Sequence, residues 1–201
     1  VCQDLAFEND QVYILSQLGP KNGGEGLLTI ASSNTLEKVK VYNDEALAQS
    51  TPTHIAVLRD HIYIRTERDG ILRGSSEGGF TPITGTKKAL KQRMAQIGER
   101  LFALTSDSKV LMIQGAQVIR ELSTTPAQLT GIAVSHDGKL WVSTTSPNEI
   151  LKVDPDPNNF VVLQRQALNQ SISATGPQSW ERTTSSAFFA HGDKLYFTGQ
   201  S

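Results

Sequence analysis

Short apolar runs and polar turns alternate along the whole chain, and the runs have the length of strands rather than helices. Alternation such as Leu140-Trp141-Val142-Ser143 has the period of a strand with one buried face. The pattern also repeats. Five ungapped copies of a 14-residue unit start at Asp4, His54, Arg93, Ile132 and Ala187, among them DLAFENDQVYILSQ, HIAVLRDHIYIRTE and IAVSHDGKLWVSTT. In each, an apolar run leads through a polar turn into an aliphatic and aromatic strand. Turns at Asn9-Asp10, His136-Asp137-Gly138 and His191-Gly192-Asp193 hold residues that tolerate tight or left-handed backbone. Each copy therefore reads as a β-hairpin.

A second hairpin follows each of the first four copies, with connectors at Ser32-Ser33-Asn34, Gly78-Gly79, Gly115 and Pro155-Asp156-Pro157-Asn158. The openings of the copies' second strands, Val12, Ile62, Leu101, Leu140 and Leu195, lie 50, 39, 39 and 55 residues apart. Two hairpins per period make a four-stranded antiparallel unit of roughly 40–50 residues, the size of a β-propeller blade. The expected fold is thus all-β: a propeller with blades at about 4–43, 54–84, 93–123 and 131–165 and a half blade at 185–201, in one domain. Because propellers close to remove sheet edges, four and a half blades read as an open piece of a larger ring. Lys87–Leu104 has helix-forming composition, but the repeat places Arg93–Gln96 and Leu101–Leu104 on strands, leaving at most a helical turn near Lys87–Lys91.

Composition narrows the class. Hydrophobic residues make up 38% of the 201 and charged residues 19%, with net charge −1; this is a globular chain with no basic excess for nucleic acid. No apolar run approaches a membrane span. The single Cys2 forms no internal disulfide and reads as a small buried hydrophobe, although a cysteine beside the start also fits a lipid-anchoring site.

The motifs IYIRTE, LWVSTT and LYFTGQ, preceded by RDH, HDGK and HGDK, resemble the YVTN-type propeller repeat. The phrase GIAVSHDGKLWVSTTSPNEILKVDP (Gly131–Pro155) resembles its YncE-like branch. Arg65 and the third copy's LFAL depart from a strict YVTN pattern. The resemblance extends to periplasmic or surface propellers of Bacteroidetes, a group that includes lipoproteins capturing cobalamin for an outer-membrane transporter. It implies a periplasmic or outer-membrane surface location, with a lipid anchor left open. It carries over no functional residue.

Candidate catalytic motifs weigh little. Gly74-Ser75-Ser76-Glu77-Gly78 matches the nucleophile pattern Gly-x-Ser-x-Gly but sits in a hairpin connector, not at the strand-to-helix elbow that chemistry needs. Gly78–Lys87 lacks the Gly-Lys-Ser/Thr ending of a phosphate loop. Gly19–Gly26 leads into a strand and reads as a flexible loop. His54, His61, His136 and His191 show no metal-ligand spacing, so no metal or cofactor is expected. Asp4, His54 and Arg93 open three inner strands near the expected channel, and a lactonase-like or lyase-like site would be built there.

Binding has better support. Function concentrates on loops held by a rigid scaffold, and the linker Arg165–Thr184 carries Trp180 between Gln178 and Arg182. A tryptophan in a polar loop is either a stacking anchor with arginine support or a cap on the blade edge, and both readings stand. Trp141 reads as core. Arg65 and Arg68 join Lys21, Asn22, Lys87, Lys88 and Lys91 on the same expected face. The sequence is thus read as a non-catalytic recognition platform binding a small molecule or a protein on its loop face. A protein-interaction scaffold and a channel-centred enzyme are the alternatives.

Overall fold

The structure, a computed structural model, describes residues 2–16, 27–42, 44–90, 92–125, 127–145 and 147–167, and the backbone of 187–191 and 194–198. Strands β1 (Cys2–Glu8), β2 (Gln11–Ser16), β3 (Leu28–Ser32) and β4 (Lys38–Tyr42) form one antiparallel sheet in sequence order. The second sheet holds β5 (Pro52–Leu58), β6 (His61–Thr66), β7 (Ile71–Ser75) and β8 (Gly78–Pro82). The third holds β9 (Ala95–Ile97), β10 (Arg100–Leu104), β11 (Lys109–Gln114) and β12 (Gln117–Ser123). The fourth holds β13 (Leu129–Val134), β14 (Leu140–Thr145), β15 (Asn148–Asp154) and β16 (Val161–Ala167), and β17 (Ala187–His191) pairs with β18 (Lys194–Thr198). Each sheet is a meander of hairpins, as the repeat predicts.

The residues group into two compact units, one comprising 1–94 with 114–118 and the other 95–113 with 119–201. In the first unit, Tyr13, Leu15, Leu28, Ile30 and Tyr42 of the first sheet interdigitate with Ile55, Val57, Ile62, Ile64, Leu72 and Phe80 of the second. The Phe80 ring lies so close over Gly74 that a Cβ there would fall 2.7 Å from it; only a residue without a side chain lets the ring into the core. The Tyr63 hydroxyl donates to the Gly115 carbonyl at 3.1 Å, which ties 114–118 to the first unit. In the second unit the core includes Leu101, Phe102, Leu111, Met112, Leu140, Val142, Leu151 and Val153. Arg100 and Arg120 donate to the carbonyls of Pro155 and Pro157, each at 2.7 Å.

Local geometry refines the repeat. Glu8 opposes Gln11 across Asn9-Asp10, both at positive φ, the tight turn that suits a right-twisted hairpin. The β5–β6 and β9–β10 turns are equally short. In the fourth sheet Val134 instead opposes Leu140, so the turn is longer and the inner strand moves by one residue. Gly131 therefore takes the place of Asp4, where an ungapped alignment puts Ile132.

Between the first two sheets lies a helix that the strand pattern does not anticipate, α1 (Glu45–Ser50). The Asp44 carboxylate accepts from the amides of Ala46 and Leu47 at 2.9 and 3.3 Å, and Leu47 is buried in the first unit's core. Replacing an N-cap aspartate removes acceptors from otherwise unpaired amides. Asp44→Ala is expected to lower stability by about 1 kcal/mol, read as a shift in the urea midpoint at unchanged slope. At Lys87–Ala89 the chain makes a turn and an isolated bridge, not a helix, and the third sheet's inner strand starts at Ala95.

Candidate functional site

The inner strands of the first two sheets open with the same irregularity. The register of β1 shifts between Cys2 and Asp4, and that of β5 between Pro52 and His54; a bulge of this kind re-aims the next side chain. Asp4 and His54 are those next residues. The structure brings both together with Arg93, which lies two residues before β9. Asp4 Oδ1 accepts from Arg93 Nη2 at 2.7 Å, and Oδ2 accepts from the Ile55 amide at 3.1 Å and lies 3.3 Å from His54 Nδ1. The three residues that open the first three repeat copies thus form one cluster within the first unit.

Its electrostatics are unequal. The Asp4 side chain is 3% exposed, His54 21% and Arg93 74%. Burial pushes the Asp4 carboxyl up, but the bond to His54, the Ile55 amide, the Arg93 charge and the Leu5 amide together hold it below the ordinary carboxylate range. Asp4 is therefore an ionised acceptor. An ionised carboxylate only accepts hydrogen bonds, so His54 carries its proton on Nδ1 where it faces Asp4. Arg93 uses one end of its fork on Asp4 and presents most of its guanidinium to solvent. The arrangement holds a cation at the surface from a buried anion.

The other sequence candidates are placed differently. Arg65, grouped above with surface cations, is 3% exposed. Its Nε donates to the Leu90 carbonyl at 2.9 Å, Nη2 to Ala89 and Nη1 to Gly70 at 3.3 Å. The guanidinium fastens the segment after β8 to the blade. Arg68 is exposed, as are Lys87 and Lys88. Gln178, Trp180 and Arg182 lie outside the described residues, as do Lys21, Asn22 and Lys91. Cys2 is exposed rather than buried; it lies before the bulge at the start of β1. Trp141 is half-buried, not core; Lys152 Nζ sits 5.3 Å from its ring centroid, on the sheet surface beside the ion pair of Lys152 with Asp137.

Ser75 ends β7, and its hydroxyl accepts from the Glu77 amide at 3.1 Å, so Gly74–Gly78 is a hairpin turn as expected. His61 Nε2 accepts from Arg73 Nη2 at 2.6 Å. Among the described residues no group of His, Cys, Asp and Glu could hold a metal ion, and no helix is long and apolar enough to cross a membrane.

Comparison with solved structures defines the class. Virginiamycin B lyase from Staphylococcus aureus matches with TM-score 0.67 at 12% identity, over 98% of this chain and 63% of that one. PorZ of Porphyromonas gingivalis, an essential bacterial surface component of the type-IX secretion system, matches with TM-score 0.64 at 14% identity, over 98% of this chain and 25% of that one. YCF48 bound to D1 peptide matches with TM-score 0.57 at 14% identity, over 83% of this chain and 54% of that one. These likenesses show the fold alone, and the chain spans less than two thirds of each of the three. The fold is that of a β-propeller, and the four-stranded sheets are its blades. No curated protein sequence matches closely enough to count as a relative. Over residues 1–201 the chain belongs to the family described as a domain of unknown function, DUF5074.

Proposed function

We propose that this propeller is a non-catalytic recognition platform that binds an anionic group of its ligand at Arg93. The observation that carries this reading is the Asp4 cluster. A buried, ionised and fully engaged carboxylate orients an exposed guanidinium, whose remaining donors match a carboxylate or phosphate. Asp4 itself, held below the carboxylate range, is a poor proton acceptor. Propellers among the structural neighbours include both a lyase and proteins of secretion and peptide binding. The finer reading is extracytoplasmic nutrient capture, with a corrinoid as its sharpest form, a lipid anchor at the surface and an outer-membrane transporter as partner. It rests on the resemblance of the strand motifs to YVTN and YncE-like repeats. In that reading Gln178, Trp180, Arg182 and Arg68 add contacts from the loops.

One observation favours a second reading. Pairing of Asp4 with His54 Nδ1 fixes the imidazole tautomer, and an oriented imidazole is what general-base chemistry requires. That arrangement fits a lyase-like or lactonase-like enzyme.

Titration of the purified protein with cobalamin, and with a panel of siderophores, sugars, dicarboxylates and phosphate esters, separates these readings when followed by calorimetry. Arg93→Ala, Trp180→Ala and His54→Gln are run beside the wild type. Saturable binding that weakens about tenfold or more in Arg93→Ala, the loss of a charge-assisted hydrogen bond, supports the platform and its site. Binding lost only in Trp180→Ala would move the site to the linker. Turnover of a panel member that disappears in His54→Gln would establish the enzyme instead. No binding at all would leave a protein partner as the reading to pursue by pull-down.

A further inference from the structure

Each face of the first blade can be read from its pairing. Asp4, Leu15, Leu28 and Tyr42 align across the four strands, as do Ala6, Tyr13, Ile30 and Lys40; this face packs on the second blade. On the opposite face run Leu5, Ile14, Thr29 and Val41, and beside them Phe7, Val12, Ala31 and Lys38. That second face is apolar in seven of its eight positions if Thr29 is counted by its methyl, yet Leu5 is 44% exposed, Phe7 68% and Val41 37%. Large apolar side chains in adjacent rows of one sheet face mark an interaction surface.

The repeat supplies the occupant. By register, Leu5, Phe7, Val12 and Ile14 correspond to Ile55, Val57, Ile62 and Ile64 of the second blade. Under the first blade Ile55 and Val57 are 7% and 4% exposed, against 44% and 68% for their counterparts Leu5 and Phe7, whereas Val12 is itself buried at 4%. We infer that the Leu5–Phe7–Val41 face is the seat of a further blade of the same polypeptide, whose packing face resembles that of Tyr13, Leu15, Leu28, Ile30 and Tyr42.

A second recurrent feature specifies how that blade would engage. Lys40 Nζ and the Tyr42 hydroxyl donate to the Ser76 carbonyl, in the turn between β7 and β8. Tyr63 donates to Gly115 in the turn between β11 and β12, and Arg100 and Arg120 reach Pro155 and Pro157 after β15. In every case a tyrosine, lysine or arginine of one blade meets a backbone carbonyl where the next blade turns between its outer strands. The corresponding turn of the first blade, residues 33–35, is where the added blade's donor would land. The matched propellers also continue beyond the matched region, since this chain spans only 63% of the Staphylococcus aureus lyase.

Thiol protection tests the inference. Phe7→Cys is made in a Cys2→Ser background, both in the 201-residue chain and in the product of the intact reading frame that encodes it. Val57→Cys, at the covered equivalent position, and Ala48→Cys, on the exposed side of α1, mark the slow and fast limits with iodoacetamide. The thiol at position 7 is expected to react near the fast limit in the 201-residue chain. In the reading-frame product it should react about 100-fold slower or less, close to the slow limit, because only local opening exposes a covered site. Equal rates in the two proteins would overturn the proposal. Protection that grows with protein concentration would overturn it too, by assigning the face to a second copy of the chain.

Discussion

Arg65→Met is expected to destabilise the protein by about 3 kcal/mol, which places it among the more damaging single substitutions. The Arg65 guanidinium is buried, and burial pulls its pKa below the ordinary arginine value while Glu67 pushes it back up. It stays in place because three backbone carbonyls accept from it: Leu90, Ala89 and Gly70. Gly70 keeps other donors when the guanidinium is removed, since the Thr66 amide and hydroxyl both donate to its carbonyl. Ala89 and Leu90 lose theirs, and an unpaired buried carbonyl costs roughly 1–3 kcal/mol. The same segment is held from the other side by Thr86, fully buried, whose hydroxyl donates to the Ile83 carbonyl and accepts from the Ile71 amide. Gly70 sits against it at positive φ; a Cβ there would come within 2.5 Å of the Thr86 backbone. Methionine fills much of the arginine's volume, so the loss reports the donors rather than a cavity. Urea unfolding should show the midpoint fall with little change in slope, and Arg65→Lys should recover less than half, because one ammonium cannot span the three acceptors. A loss under about 1 kcal/mol would mean that the two carbonyls find other partners.

Arg65 also shows where sequence reading stops. The blades were legible because strand alternation and turn chemistry are local: two-residue turns at Asn9-Asp10 and glycines such as Gly138 can be recognised without knowing the neighbours. Arg65 occupies a strand in a pattern of apolar residues, Ile62-Tyr63-Ile64-Arg65, and nothing nearby shows that carbonyls 24 and 25 residues away will bury it. The helix α1 carries a readable N-cap in Asp44-Glu45, but six residues are too few for a helical period to stand out from a linker. The one-residue shift of the fourth inner strand follows from turn length, which an ungapped alignment cannot represent. The Asp4 cluster was half legible. Aligning the repeats places Asp4, His54 and Arg93 at equivalent positions, and equivalent inner-strand positions in successive blades converge. That the carboxylate would be the buried partner and the arginine the exposed one depends on the bulges at Asp4 and His54.

Asp4→Ala is expected to cost about 2 kcal/mol, chiefly because the buried Ile55 amide loses its acceptor, with little from an arginine that water can solvate. The substitution should also abolish anion binding at Arg93 as far as Arg93→Ala does, since the guanidinium loses what orients it. Asp4→Asn separates charge from hydrogen bonding. Its amide oxygen can still accept from Ile55, but it presents no charge to Arg93 or His54. A carboxyl whose folded pKa lies below its unfolded value contributes stability that is fully present above the unfolded value and is lost as pH falls through the folded one. For Asp4 the ordinary value is 3.8 and the shift is downward. The stability difference between wild type and Asp4→Asn should therefore be constant above about pH 5 and shrink as pH falls below about 4. Urea titrations of both proteins across pH 2.5–7 read this directly. A difference that stays flat across that range would mean that folding leaves the Asp4 pKa at its ordinary value, so that the bonds to Arg93 and His54 add no charge-dependent stability.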